Sequence, residues 1–184
     1  MSRKYKIYDQ SQLYFVTFTV LDWIDVFIRD EYRNVMINSI KYCQKHKGLE
    51  VYAYCFMTSH IHFIIGTAGG NPLQDIIRDL KSFTSRSIRK VMEDRSQVHE
   101  SRDWILRRMY FAGRRNSNNI DYQFWQQHSH PVELSSNDMI DQRLEYIHLN
   151  PVEAGFVDTP ESWIYSSARD YGGKAKGLIE LVYV

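Results

Sequence analysis

Cysteine is scarce in this sequence, and long hydrophobic runs are absent. Two cysteines, Cys43 and Cys55, are too few for a disulfide framework or a thiolate metal site, as is typical of a protein in a reducing cytoplasm. The first ten residues, MSRKYKIYDQ, lack the apolar core of a secretion signal. No apolar run approaches the roughly 18 to 20 residues that would span a bilayer. We therefore expect a soluble, cytoplasmic protein with no membrane partner.

Internal repeats, a Pro-rich linker and a glycine-rich Walker-type loop are also absent. Without such a loop, the sequence gives no indication of nucleotide binding. Hydrophobic residues make up 43% of the 184 residues, which is enough for one core of ordinary size. These features predict a single domain over residues 1–184.

The net charge of +1 conceals an uneven distribution of charge. Residues 78–115 contain 11 Lys and Arg against 5 Asp and Glu, a net charge of +6, which leaves −5 for the rest of the chain. Such asymmetry is typical of a surface that faces a polyanion. A solvated charged helix and loop would give the same pattern, so charge alone leaves both interpretations open.

The first part of the chain predicts the order strand, helix, strand, strand, helix. A strand is predicted over Leu13 to Val20, followed by a helix from a cap at Asp30 to about Lys47, with a stop at Gly48. Two strands, Leu49 to Met57 and His60 to Gly66, then form a predicted hairpin. The next predicted helix has its cap at Asn71 and Pro72 at its first position, and it runs to about Glu93. On the last helix, the spacing of apolar residues leaves a polar, basic side facing away from the core.

The second part is less regular. Residues 94–123 indicate a loop or insertion, although Trp104, Leu106 and Met109 could form a short helix. The predicted elements that follow are a strand around His130 to Leu134, a helix capped by Ser135 or Ser136 that runs through Leu149 and ends at Pro151, and a final strand over Leu178 to Val184. The order of elements predicts an α+β, ferredoxin-like fold: a split βαβ antiparallel sheet with helices on one face.

Two histidines lie two positions apart in the segment SHIHFII. In a strand, His60 and His62 point to the same face, and the intervening Ile61 points to the other. Two neighbouring imidazoles suit a divalent cation, but two ligands do not complete a site. Surface or hydrogen-bonded histidines are the ordinary alternative for such a spacing.

A second pair, His128 and His130, has the same spacing. It precedes Pro131 and lies among polar residues. This placement favours a structural or substrate-contacting role for His130 over a metal ligand. The second pair also shows that the spacing by itself does not identify a metal site.

Tyr146 differs from the other tyrosines in its context, EYIHLNPVEAG. The segment predicts the end of a helix, on which Asn150 follows four residues later on the same side. A neighbouring apolar stripe, Ile140, Leu144 and Ile147, could pack against the sheet. Tyr146 and Asn150 could then face the open side of the sheet, where Asn150 could complete a metal shell. The alternative is a half-buried tyrosine and an asparagine without a functional role.

The motifs together carry a family resemblance. The segments YFVTFTV, SHIHFII, FWQ, HPVEL, YIHLNPVEAG and WIYSSARDY resemble, in this order, those of the REP-associated tyrosine transposases and their insertion-sequence relatives, the one-tyrosine (HUH) single-strand DNA transposases. The resemblance implies an HUH-type palm with a catalytic helix near its C-terminal part. It also implies that His60 and His62 bind Mg²⁺ or Mn²⁺, that Asn150 occupies the third-ligand position, and that Tyr146 is the nucleophile.

The chemistry implied by the resemblance is cleavage and rejoining of single-stranded DNA. A 5′-phosphotyrosine and a free 3′-hydroxyl would form, and a second 3′-hydroxyl could rejoin the DNA without ATP. Relatives recognise hairpins or short guide sequences and occur as monomers or as homodimers with exchanged tyrosines. The basic side of the helix after Asn71 offers Arg78, Lys81 and Arg89 as DNA-backbone contacts, and the following segment offers Arg114 and Arg115.

Two other functions fit the same residues. A protein of this fold could bind repeat hairpins without cutting them, although the presence of His60, His62, Tyr146 and Asn150 argues against a decayed site. A metal-dependent phosphoesterase could instead hydrolyse its substrate without a covalent intermediate. Only the covalent mechanism requires the phenol of Tyr146. Loss of activity in Tyr146→Phe would therefore indicate the transposase, and retained activity would indicate the phosphoesterase.

Overall fold

The structure is a computed structural model that describes residues 7–94, 96, 102–116, 122–127 and 130–184. The described strands are β1 (Leu13–Thr19), β2 (Leu49–Phe56), β3 (His60–Thr67) and β4 (Val132–Leu134). The described helices are α1 (Asp30–Lys47), α2 (Leu73–Glu93), α3 (Arg102–Arg114), α4 (Asn137–Glu153) and α5 (Ala168–Tyr171), with 3-10 turns at Leu21–Trp23, Val26–Ile28 and Pro160–Ser162. Within these ranges, no helix has the length and apolar character needed to cross a membrane.

The four strands form one antiparallel sheet in the order β2-β3-β1-β4. Helix α1 connects β1 to β2, and β3 lies between those two strands. This arrangement is the split βαβ of a ferredoxin-like fold, so the predicted fold class is confirmed. The predicted hairpin is confirmed as well, because only residues 57–59 separate β2 from β3.

The two faces of the sheet pack against different helices. Alternate side chains of β1, such as Val16 and Phe18, are fully buried in a core shared with α1 and α2. The prediction of helices on one face therefore holds for α1 and α2. Helix α4 packs on the opposite face, where Ile147 is fully buried in a second cluster with Ala53 and Cys55 of β2. The sheet thus presents only part of this second face to solvent.

Some of the predicted helix caps and stops are confirmed, and others are wrong. Gly48 ends α1 with a left-handed φ of 75°, and the Ser136 hydroxyl accepts a hydrogen bond from the Met139 amide at the start of α4. The predicted cap at Asp30 was wrong, because this residue already lies inside α1 and its carboxylate binds Arg33. Pro72 precedes α2 in an extended conformation instead of occupying its first position.

Pro151 does not terminate α4, contrary to the prediction. The helix continues to Glu153, and the Ala154 amide still donates to the Asn150 carbonyl at 3.0 Å. Proline removes a single amide donor, which the last turn of a helix tolerates when the following residues close their own hydrogen bonds. The chain then turns at Gly155, whose φ is 74°, and the Phe156 amide donates to the Pro151 carbonyl.

The last segment of the chain is irregular, so the predicted strand over Leu178 to Val184 was wrong. The Val182 amide donates to the Val51 carbonyl of β2, but the segment forms no ladder with it. The Leu178 amide instead donates to the hydroxyl of Tyr54, and Ile179 is buried in the core. Side-chain packing therefore holds this segment against the sheet.

Helix α3 lies within residues 94–123, so the prediction of a loop was wrong for the part of this range that the helix occupies. Helix α3 buries Ile105 and Met109, which are four residues apart and therefore on one side of the helix. The alternative of a short helix around Trp104, Leu106 and Met109 is the one that the structure shows. Residues 95, 97–101 and 117–121 lie outside the described ranges.

Candidate active site

His60 and His62 lie on the second face of the sheet, on β3, with ring centroids 4.7 Å apart. The antiparallel register places Thr19 opposite His60 and Thr17 opposite His62 on β1. Because strand alternation sends both imidazoles to the same face, the predicted pair forms from local geometry alone.

His62 has one ring nitrogen without a partner. Its Nδ1 lies 2.9 Å from the hydroxyl of Thr17, whereas its buried Nε2 has no hydrogen-bond partner in the described structure. Burial, followed by the positive charges of His60 and Arg143, lowers the pKa of His62 to about 3. The ring is therefore neutral near pH 7. When Nδ1 donates to Thr17, Nε2 keeps a lone pair that can bind a cation.

His60 has a similar but less enclosed environment. Its Nδ1 lies 3.2 Å from the hydroxyl of Ser59, and burial lowers its pKa below the ordinary value for histidine. Its ring lies nearly perpendicular to the Trp23 indole, at 5.1 Å between centroids. His60 therefore also favours the neutral form that metal coordination requires.

Tyr146 approaches the histidine pair from α4. Its ring lies 5.2 Å from that of His62, centroid to centroid, and 38% of its surface is exposed. Ile147 anchors the helix in the second cluster, so Tyr146 stands at the edge of the buried stripe. Asn150 follows one turn later on the same side of α4 and is partly buried. The structure thus brings Tyr146 to the histidines and places Asn150 on the adjoining turn.

Two further side chains enclose this site and were not predicted. Phe15 packs against both His62 and Tyr146, with centroid distances of 5.6 Å and 5.9 Å. The guanidinium of Arg143 lies 4.9 Å from the centroid of the Phe15 ring and 6.0 Å from that of Tyr146. The available signal was helical spacing, because Arg143 precedes Tyr146 by three residues.

His148, which has no predicted role, attaches α4 to the sheet. Its Nε2 lies 2.9 Å from the Ser167 hydroxyl, which in turn accepts a hydrogen bond from the Tyr54 amide. Burial lowers the pKa of His148 to about 4, so the ring is neutral near pH 7. The contact fixes the helix two residues after Tyr146.

A strained turn borders the site beside His60. Asp22 and Trp23 both have left-handed φ values, 53° and 58°, and the Ile24 amide donates to the Leu21 carbonyl across them. Left-handed backbone is uncommon for any residue other than glycine and an outlier for a bulky one, at about 1–3 kcal/mol each. Arg108 of α3 forms an ion pair with Asp22, yet the Trp23 indole remains 56% exposed.

Two of the candidate DNA contacts on α2 are exposed but form ion pairs within the helix. Arg78 pairs with Asp75 and Asp79 at 2.6 Å and 3.2 Å, and Arg89 pairs with Glu93 at 2.7 Å. Both cations are therefore partly neutralised by carboxylates of the same helix.

The prediction that Lys81 lies on a free basic side was wrong. Its ammonium lies 5.2 Å from the centroid of the Phe18 ring and 6.0 Å from that of Trp125, and it donates to the Gln126 carbonyl. Burial lowers the pKa of Lys81 to about 8. The helical wheel failed here because a distant segment, residues 122–127, covers this side of α2.

Helix α3 presents a basic and aromatic surface, of which only Arg114 and Arg115 were predicted as DNA contacts. Positions three, four and seven residues apart share one exposed side of the helix, and they carry Trp104, Arg107, Arg108 and Phe111, with Arg115 in the turn that follows the helix. Arg114 lies beside them, against Tyr110. Among the described residues, Arg107 and Arg115 have no carboxylate partner. Interleaved arginine and aromatic side chains are suited to single-stranded nucleic acid.

A complete cluster of charged or thiol ligands is absent from the described part of the chain. No three His, Cys, Asp or Glu side chains come together there in a way that could hold a metal ion. A cation at the histidine pair would therefore take its remaining ligands from amide oxygen, phosphate or water, all of which suit Mg²⁺ or Mn²⁺. His128 lies outside the described residues, and His130 is exposed before β4.

The chain is similar to known proteins over most of its length. The family model "Transposase IS200 like" matches residues 24–122, a range that includes both site histidines and ends before Tyr146. A Haemophilus influenzae protein assigned as a REP-associated tyrosine transposase is 26% identical over 172 residues, covering 91% of this chain and 85% of the relative. The solved structure of a REP-associated tyrosine transposase bound to a REP hairpin has a TM-score of 0.62 at 16% identity, covering 99% of this chain and 92% of that chain.

Proposed function

Because the chain belongs to the family of IS200-like transposases, we propose that it cleaves and rejoins single-stranded DNA through a covalent 5′-phosphotyrosine at Tyr146. The observation that carries this proposal is the approach of Tyr146 to His62, at 5.2 Å between ring centroids. A phenol beside two neutral imidazoles on one sheet face matches the requirements of metal-assisted phosphoryl transfer.

The residues present fit a divalent cation. His62 offers a buried Nε2 with no hydrogen-bond partner among the described residues, and His60 lies next to it on the same face. Asn150 is the proposed third protein ligand, because it shares a side of α4 with Tyr146. Bound at these residues, Mg²⁺ or Mn²⁺ would polarise a non-bridging oxygen of the scissile phosphate and stabilise the leaving 3′-oxygen.

Tyr146 supplies the nucleophile in this proposal. Its hydroxyl oxygen attacks phosphorus, the bond from phosphorus to the 3′-oxygen breaks, and the phenolic proton passes to solvent at the exposed side of the ring. The 3′-oxygen takes a proton from water, which leaves a 5′-phosphotyrosine and a free 3′-hydroxyl. Attack by another 3′-hydroxyl reverses these steps and joins the strands, because the phosphodiester character of the bond is retained.

Arg143 positions the phosphate in this proposal. Its guanidinium lies near both Phe15 and Tyr146, and the described residues place no carboxylate on it. A fixed positive charge at this point favours the additional negative charge that develops in the transition state.

The DNA strand is proposed to run along the exposed side of α3. Arg107 and Arg115 would contact phosphates, while Trp104 and Phe111 offer rings for unpaired bases. A solved protein of this fold is bound to a REP hairpin, which supports hairpin or repeat DNA as the partner of this chain. Arg114 belongs to the same surface, whereas Arg78 and Arg89 are secondary because carboxylates already neutralise them.

The proposal is tested by a covalent trapping assay. Purified protein is mixed with labelled single-stranded hairpin DNA from the flanks of its gene, with Mg²⁺ or Mn²⁺, and separated on a denaturing gel. We expect a protein–DNA adduct that disappears in Tyr146→Phe and persists in Tyr183→Phe, which removes another exposed phenol. Binding without an adduct would indicate a non-cutting hairpin-binding protein. Cleavage that survives Tyr146→Phe would indicate a hydrolytic phosphoesterase.

A further inference from the structure

Trp23 is an exposed aromatic ring held beside the active site. Its indole is 56% exposed and contacts His60 only by a perpendicular approach, at 5.1 Å between centroids and 73° between ring planes. Such a contact leaves much of the indole open to solvent. A side chain exposed to this extent contributes little to the core, so burial does not explain its position.

The backbone at Trp23 adopts a conformation that the residue type disfavours. Trp23 has a φ of 58° and follows Asp22, whose φ is 53°, in a turn that asparagine and glycine would form with less strain. The ion pair from Arg108 of α3 to Asp22 ties this turn to the rest of the protein. Strain that the surrounding structure maintains is concentrated at functional sites.

We propose that Trp23 is a stacking platform for one unpaired nucleobase next to the scissile phosphate. This inference rests on the proposed function, because the phosphate is taken to lie at His60 and His62. The indole adjoins His60, so a base stacked on it belongs to a nucleotide that flanks the phosphate. Arg108, held at the same turn by Asp22, links the platform to the basic side of α3. Base–aromatic stacking is tolerant of sequence, so the platform fixes the strand without selecting the base.

A purely structural function for Trp23 makes a different prediction. If the indole only restricts the ring of His60, its removal and the removal of a DNA base act independently, and their effects multiply. If the base stacks on the indole, removal of either the indole or the base eliminates the contact. Removal of the second group then has no further effect on binding, and the two effects do not multiply. This coupling distinguishes a contact with DNA from a contact within the protein.

The test measures binding without cleavage. Hairpin oligonucleotides from the gene's flanks carry a single-stranded extension in which each base is replaced in turn by an abasic residue. Dissociation constants are measured by fluorescence anisotropy in the Tyr146→Phe background, alone and combined with Trp23→Ala or Trp23→Phe. Phe83→Ala is the matched control, because Phe83 is 54% exposed in a groove between α1 and α2.

One abasic position should weaken binding by about tenfold or more when Trp23 is present and have no further effect in Trp23→Ala. Trp23→Phe should keep part of this sensitivity, and Phe83→Ala should keep all of it. The inference is wrong if no position is sensitive, or if the sensitivity persists in Trp23→Ala. Because this assay needs no cleavage, absence of an adduct in the trapping assay would refute the proposed reaction independently of the platform.

Trp23→Gly is a second variant, in which the left-handed backbone at position 23 is no longer strained. Glycine adopts a φ of 58° without steric cost, so the thermal midpoint should stay unchanged or rise while DNA binding weakens as in Trp23→Ala. Unchanged DNA binding in Trp23→Gly would overturn the inference. Because the thermal midpoint shows that this variant is folded, unfolding cannot explain a loss of binding.

Discussion

The rings of His62 and Tyr146 lie 5.2 Å apart, although β3 and α4 are distant in the sequence. Ile147 makes this approach possible, because its burial against β2 and β3 fixes α4 across the second face of the sheet. Tyr146, the proposed nucleophile, and the imidazole pair therefore come from separate elements whose packing is set by apolar contacts.

Removal of either histidine should eliminate metal-dependent cleavage. His62→Ala deletes the ring nitrogen that has no hydrogen-bond partner in the described structure, and we expect adduct formation to fall by at least about a hundredfold. Hairpin binding should change little, because backbone contacts contribute most of it. The measurements are adduct yield and Mn²⁺ affinity by calorimetry. His46→Ala, which removes an exposed histidine on α1, is the control, and unchanged Mn²⁺ affinity in His62→Ala would contradict the metal site.

Arg143→Gln should lower the rate of cleavage more than the affinity for DNA. Loss of a fixed charge near the reacting phosphate typically reduces kcat by about 10²-fold. Single-turnover kinetics at saturating DNA separate the two effects, with Arg78→Gln as a control whose charge is already paired. An Arg143→Gln variant with a normal single-turnover rate and weakened binding would assign Arg143 to the docking surface instead.

The exposed side of α3 should account for more of the DNA affinity than α2 does. Arg107→Ala and Arg115→Ala should each weaken binding and reduce the slope of log K against log salt by about one. Arg78→Ala should have a smaller effect, because Asp75 and Asp79 already neutralise that residue. Titrations at several salt concentrations measure the slopes. Equal slopes in all three variants would contradict the proposed path of the strand.

The sequence predicted what depends on local geometry. Strand alternation places His60 and His62 on one face, and an i to i+4 spacing places Tyr146 and Asn150 on one side of a helix. Which face α4 covers depends on long-range packing, so the approach of Tyr146 to His62 followed only from the family resemblance. The same limitation explains Lys81, because the helical wheel of α2 contains no information about Trp125.

The strained turn at Asp22 and Trp23 is a second feature that the sequence could not predict. The segment LDWID contains no glycine or asparagine, so nothing in it indicates left-handed backbone at Trp23. Tertiary contacts impose that conformation, including the ion pair between Asp22 and Arg108 of α3. A side chain beside the candidate active site could therefore not be identified from the sequence.

The buried charge of Lys81 should reduce the free energy of unfolding of the protein near neutral pH. Burial lowers its pKa from 10.5 to about 8, so between these values the unfolded chain retains a proton that the folded protein has released. Stability attributable to this residue therefore rises as the pH increases from 8 to 10.5. Lys81→Met should raise the free energy of unfolding at pH 7 by about 1–3 kcal/mol and remove this pH dependence.

Chemical denaturation at pH 7 and pH 10 measures the effect of Lys81→Met. The control is Lys41→Met, which changes an exposed lysine of α1 and should leave both values nearly unchanged. A loss of stability in Lys81→Met at pH 7 would show that the contacts with Phe18, Trp125 and Gln126 outweigh the cost of burying the charge.

The central claim is that Tyr146 forms the covalent bond to DNA, and peptide mapping of the trapped adduct tests it most directly. The adduct is trimmed with nuclease, the protein is digested, and the modified peptide is identified by mass spectrometry. We predict a nucleotide attached through a 5′-phosphate to Tyr146, absent when Mg²⁺ and Mn²⁺ are withheld. A nucleotide on any other residue, or cleavage products that carry a free 5′-phosphate with no modified peptide, would contradict the account.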